Sequence, residues 1–259
     1  MANGTNPSDE NGTPKKRGPQ KQIAALLVML ALLGVLGFYM NSVGNGTNLP
    51  GTPPKPVPAP TLNTATLEAK WPDIVAHAAA PPRGNAQARY TMAEFGDFQC
   101  PQCGKVYPVL ESLLKKYPAQ VNLIFLHRPF PQIHQWALPA SQAAEIAAEQ
   151  GKFWPMYDTL YTSQENLEPG YYSAYAEKIG LDKAKFQAAF NAGQGQSQIK
   201  ADSAFADSLN VQETPTLLLR DNQAKTVTAY IGTKGTQNAD GSPQYPGVQA
   251  LANNPPWGR

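Results

Sequence analysis

The sequence predicts an α/β fold, a sheet with a helical block inserted in it, on three observations. Two short apolar runs, "RYTMAEF" (residues 89–95) and "VNLIFL" (121–126), flank a segment whose apolar residues recur at intervals of three and four, the pattern of strand, helix, strand. The long middle, residues 137 to about 209, is helical in character throughout. Beyond it, "TLLLR" (216–220) and "TVTAYIG" (226–232) stand on either side of the polar "DNQAK", an antiparallel hairpin signal.

From the start of the chain, residues 1–22 are polar, rich in Gly, Asn and Pro, and end on Lys15, Lys16, Arg17 and Lys21; they predict a cytoplasmic basic tail. Residues 23–40, "IAALLVMLALLGVLGFYM", carry no charge. As a helix they would span about 27 Å, close to a hydrocarbon core of about 30 Å, which predicts a transmembrane anchor. A cleaved signal peptide is the alternative, since Ser42 to Gly44 offer small residues, but the apolar run is longer than the usual 7–15 of such a segment. The basic flank lies on the N-terminal side only, which directs the chain after Met40 out of the cytoplasm. Residues 41–65 are rich in Pro, Thr and Asn and predict an extended linker. The folded domain is then 66–259, with a helical insertion at about 135–209.

Within that domain, Val106, Val109, Leu110, Leu113, Leu114 and Tyr117 mark one apolar helical face. In the insertion, Pro139 suits a first turn, Ala140, Ala143, Ala144 and Ala147 form a small-residue stripe, and Asp182 suits an N-cap before Phe186 and Phe190. With the first 22 residues set aside, Lys plus Arg balance Asp plus Glu, so the domain lacks the basic footprint of a nucleic-acid binder.

The chain has two cysteines, Cys100 and Cys103, at the start of the first helix. A cysteine there faces unpaired backbone N–H groups and the positive end of the helix dipole, which favour a thiolate over the free thiol value of about 8.5. Cys100 is the candidate nucleophile. Cys103 follows one turn deeper on the same face, placed to close a disulfide with Cys100 and to act as the resolving thiol. Two cysteines and three histidines (His77, His127, His134) are a poor set for a four-ligand zinc or iron–sulfur site, and position 104 is Gly where a haem attachment motif needs His. A purely structural disulfide would close so small a loop that it removes little chain entropy. The pair therefore points to redox chemistry, with no metal or other cofactor.

"EFGDFQCPQC", with Pro108 following, "VQETPTLLL" near the end, and the helical middle "QAAEIAAEQGKFWPMYDTLY" and "GLDKAKFQAAF" together resemble the DsbA-like branch of the thioredoxin superfamily. The resemblance covers roughly residues 90–232. It implies a thioredoxin-like fold with an inserted helical domain, and a thiol-disulfide oxidoreductase introducing disulfides into secreted or membrane proteins from the periplasmic or extracellular side. A reductase or isomerase of the same fold, or a non-catalytic peptide-binding module, is the alternative. By position, Glu94 matches the family's buried acid, Thr214 and Pro215 match its cis-proline and substrate-binding turn, and Pro101 and Gln102 occupy the redox-tuning positions. The implied partners are protein thiols and a membrane redox protein similar to DsbB or to vitamin K epoxide reductase. Residues 66–89 and the tail after Gly232 depart from the family pattern and predict extra polar loops or an altered closing helix. His127 and His134 read as surface or packing residues and Asp97 as a loop cap or site residue. Phe98, Trp136, Phe153 and Trp154 read either as an apolar groove or as core of the insertion.

Overall fold

The computed structural model describes residues 61–237 and 243–257. They belong to one compact unit that runs from Pro58 to the C-terminus. The expected tail and anchor lie outside the described residues, as does the linker through residue 60. Among the described residues, no helix is long and apolar enough to cross a membrane.

Two short helices, α1 (Thr64–Ala69) and α2 (Trp71–Ala76), precede a five-stranded sheet of β1 (Arg83–Gly84), β2 (Tyr90–Gly96), β3 (Val121–His127), β4 (Thr216–Asp221) and β5 (Thr226–Ile231). The strand order is β1-β3-β2-β4-β5. β2 and β3 are parallel and the other neighbours antiparallel. A parallel pair needs a crossover, and α3 (Pro101–Lys116) supplies it. Its apolar face, Cys103, Val106, Leu110 and Leu113, is buried on the sheet, and Lys115 and Lys116 sit in its last turn, where the helix dipole favours cations.

β2 is buried at every position, which is why it reads as a continuous apolar run. Successive side chains still alternate between faces. Tyr90 and Met92 enter the core shared with α3 and the insertion, while Ala93 and Phe95 enter a second core on the other face. Glu94, in step with Tyr90 and Met92, is thereby aimed under α3.

The insertion between β3 and β4 consists of α4 (Ala137–Ala148), α5 (Phe153–Thr162), α6 (Pro169–Lys178), α7 (Lys183–Asn191) and α8 (Gln196–Ser208). The alanine stripe of α4 is fully buried. Asp182 caps α7, accepting from the Ala184 and Lys185 amides at 2.9 and 3.0 Å.

The segment before β2 corrects the expectation of polar loops. Leu62, Leu67, Trp71 and Ile74 are buried in the second core. Arg220 stacks over Trp71 at 5.4 Å and pairs with Glu68 at 2.6 Å, tying α1 to β4. Apolar residues at the spacing 67, 71, 74 are the pattern of a helical face, here broken between two helices at Lys70. At the other end, β6 (Gly235–Gln237), β7 (Pro243–Pro246) and α9 (Val248–Asn253) close the fold, with Trp257 packed on Tyr90 and Tyr117.

Candidate active site

Cys100 is the N-cap of α3, in extended backbone (φ −66°, ψ 120°), with Pro101 as the first helical residue. The turn that delivers it is held from Asp97. The Asp97 backbone carbonyl accepts from the Cys100 amide at 3.1 Å, and its fully buried carboxylate accepts from the Gln99 amide at 2.8 Å, the Phe130 amide at 3.0 Å and His134 Nδ1 at 2.8 Å. Asp97 is thus a loop anchor and His134 its partner. A second anchor comes from the insertion: Gln164 Nε2 donates to the Phe98 carbonyl at 2.7 Å and the Cys100 carbonyl at 3.1 Å. Gly104 leaves room for that carboxamide, since a Cβ there would run into it.

The two thiols are chemically unequal. Cys100 is 6% exposed and is pulled down to about 6, first by hydrogen bonding from the Cys103 thiol and then by the Cys103 amide, Thr214 and the Gln102 amide, all against its burial. Cys103 is fully buried and pushed well up, by burial first and then by the negative charges of Cys100 and Glu94. Both are free thiols. When protonated, Cys100 donates to the Thr214 carbonyl at 3.4 Å. The Thr214–Pro215 peptide bond is cis, directly before β4. Pro101 and Gln102 are exposed, and Gln102 Oε1 accepts from the Thr233 hydroxyl at 2.8 Å.

Glu94 lies beneath this pair, fully buried, opposite Phe125 on β3 and Leu217 on β4. Burial pushes its carboxyl up to about 7, against the opposing pull of two tyrosine hydroxyls, Tyr157 at 2.7 Å and Tyr161 at 3.3 Å. A solvated strand-end glutamate is excluded. Both tyrosines belong to α5, one turn apart on one face, and with Gln164 they are site residues that the sequence reading missed. The four-residue interval of Tyr157 and Tyr161 is visible in the sequence, but nothing local marks a hydroxyl as the partner of a carboxyl 63 or 67 positions away.

A family model described as "Thioredoxin" matches residues 78–232, more than half of the chain. The chain belongs to the thioredoxin family. Among solved structures, it is similar to a linker-deleted ScsC of Proteus mirabilis (TM-score 0.54, 20% identity, 86% of this chain and 92% of that one). It is also similar to oxidised BdbD of Bacillus subtilis (0.50, 23%, 55% and 82%) and to the thiol-disulfide exchange protein alpha-DsbA2 of Wolbachia pipientis (0.53, 17%, 65% and 89%). At these identities the likeness shows the fold alone. Among curated proteins, the chain is 38% identical over 137 residues to the Na(+)/H(+) antiporter NhaA 3 of Salinispora tropica and 32% identical over 172 residues to the Na(+)/H(+) antiporter NhaA 1 of Salinispora arenicola. The matches cover 53% and 62% of this chain but 21% and 26% of those proteins.

In this thioredoxin-family frame the remaining candidates find plain places. His127 is no surface residue: it is fully buried at the end of β3, with Nε2 2.8 Å from Glu145 of α4. Phe98 and Phe153 are core, which removes them from any groove; Trp136 and Trp154 are half-buried, and Trp154 Nε1 donates to the Pro81 carbonyl at 2.9 Å.

Proposed function

We propose that the chain is a thiol-disulfide oxidoreductase, tethered by residues 23–40 and working outside the cytoplasm, that oxidises protein dithiols. The observation that carries this reading is the inequality of the thiols: Cys100 at a helix start, pulled down to about 6, beside a buried Cys103 pushed up. A substrate thiolate attacks Cys100 Sγ in the disulfide form and displaces Cys103. Glu94, which burial holds near neutral pH, supplies the proton the departing Cys103 thiolate takes up. The substrate's second thiolate then attacks its own sulfur in the mixed disulfide and releases Cys100 as a stable thiolate. Substrate gains a disulfide, the enzyme holds the dithiol, and a second protein must take the two electrons. We assign that role to a membrane protein similar to DsbB or vitamin K epoxide reductase, which a common membrane tether keeps at high effective concentration. Thr214 and Pro215, across from Cys100, would hold an extended substrate backbone, and Pro101 and Gln102 would tune the potential. The transport activity in the names of the curated relatives is not carried over.

The reduction potential tests this reading. Equilibration with glutathione buffers should give a value well above the roughly −270 mV of thioredoxin. A value at or below that level would assign a reductase, and failure to catalyse insulin disulfide reduction would leave only a binding module.

A further inference from the structure

Glu94 is a buried acid with an unusual supporting cast. Its sheet neighbours Phe125 and Leu217 are apolar, and among the described residues no cation pairs with it. Arg83 of β1, whose charge acts on Tyr157, is engaged by Glu111 of α3 at 2.9 Å and Asp158 of α5 at 2.6 Å. The other titratable groups facing this pocket are Cys100 and Cys103 at the start of α3, Glu111 and Tyr107 further along it, and Asp97 in the site loop. All of these are neutral or negative. Among the described residues, the carboxyl's hydrogen bonds come from Tyr157 and Tyr161, one to each oxygen. A carboxylate in low dielectric without a cation depends on such donors for its charged form.

We infer that Tyr157 and Tyr161, supplied by the inserted helices, are positioning residues that hold Glu94 able to give a proton to Cys103 and take it back within each cycle; this rests on the function proposed above. The balance closes without bulk solvent. When Cys103 leaves the disulfide, the proton moves from the Glu94 carboxyl to the Cys103 sulfur, and the resulting carboxylate is met by two hydroxyl donors. When Cys103 attacks in reoxidation, the same proton returns to Glu94. The thioredoxin core thus supplies the acid and the insertion sets its proton affinity.

The test follows single-turnover oxidation of a dithiol peptide by the oxidised full chain from pH 5 to 9, each variant taken as a ratio to the parent. Tyr157→Phe should move the limb assigned to Glu94 upward by about 1 pH unit, the shift expected for losing one hydrogen bond to a charged group. Tyr161→Phe, which removes the longer bond, should move it less. Neither shift should survive in a Glu94→Gln background. In parallel, carbon-13 NMR of the Glu94 carboxyl, assigned by its loss in Glu94→Gln, should show the same displacement of its titration midpoint without any turnover. An unmoved midpoint in both tyrosine variants overturns the inference, as does a limb shift that persists without Glu94. If Tyr157→Phe does not fold, Tyr161→Phe decides alone. A chain that exchanges no disulfides refutes the proposed function, while the NMR titration still decides the tyrosine role.

Discussion

At the residue scale, the chemistry turns on which thiol carries charge. A Cys100 titrating near 6 predicts that iodoacetamide labels Cys100 alone in the native reduced protein, with a rate half-maximal near pH 6; a midpoint near 8.5 would remove the basis of the oxidase reading. The depressed value also links pH to stability. The thiolate stabilises the reduced fold fully above the unfolded thiol value and that contribution is lost as pH falls through 6, so the advantage of the reduced over the oxidised form should grow by about 2 kcal/mol between pH 6 and 8.5. Paired denaturant melts check the slope. Glu94 runs the other way. Its raised value means that the folded state binds more protons than the unfolded one between about pH 4.5 and 7, so its favourable contribution is complete below 4.5 and lost as pH rises through 7. Glu94→Gln should flatten that decline and leave the protein about 2–3 kcal/mol more stable at pH 8 relative to its parent than at pH 5. Parallel pH-stability curves would show that Glu94 titrates normally.

At the element scale, the site depends on where α3 meets the insertion. Pro108 inside α3 removes the amide that would bond the Gly104 carbonyl, and Gly104 lies against the Gln164 carboxamide. Alanine in a helix is ordinarily favoured over glycine by about 1 kcal/mol. Here Gly104→Ala should instead destabilise by about 1–2 kcal/mol, because Gln164 must swing off the Phe98 and Cys100 carbonyls. In a Gln164→Ala background the same change should turn stabilising. Urea melts of the four proteins form the cycle, and additivity would show that the contact holds nothing.

At the scale of the whole molecule, the proposal places the dithiol domain outside the cytoplasm. Lys15, Lys16, Arg17 and Lys21 all precede the apolar span at 23–40. Protease added to spheroplasts should therefore digest the chain beyond Met40 and spare the basic tail, as two tags read by immunoblot would report. Protection of the domain would reverse the orientation and place it in a reducing compartment, where an oxidase role has no use.

The sequence by itself determined whatever rests on local periodicity and local chemistry. Short apolar runs located β2 and β3, the 3.6 period located α3, and two apolar runs about a polar turn located the β4–β5 hairpin; Asp182 announced a cap, and the spacing of Cys100 and Cys103 set two thiols at the start of a helix. Such signals survive in one dimension because each depends on neighbours within a few positions. The resemblance then brought in Glu94 and Pro215, which stand far apart in the chain from the elements that make them matter. Only tertiary structure decided the rest. Tyr157, Tyr161 and Gln164 reach the site because the insertion folds back over β2 and α3, and their contacts span more than sixty positions. His127 read as either a surface or a packing residue, and its burial beside Glu145 of α4 decided for packing. Residues 66–89 read as polar loops because a single face of two short helices is too brief a pattern to recognise, yet burial of Leu67, Trp71 and Ile74 against the sheet makes their first part core. A hydroxyl or carboxamide carries no mark of its partner, because its hydrogen bond is chosen by whatever the fold brings within 3 Å of it.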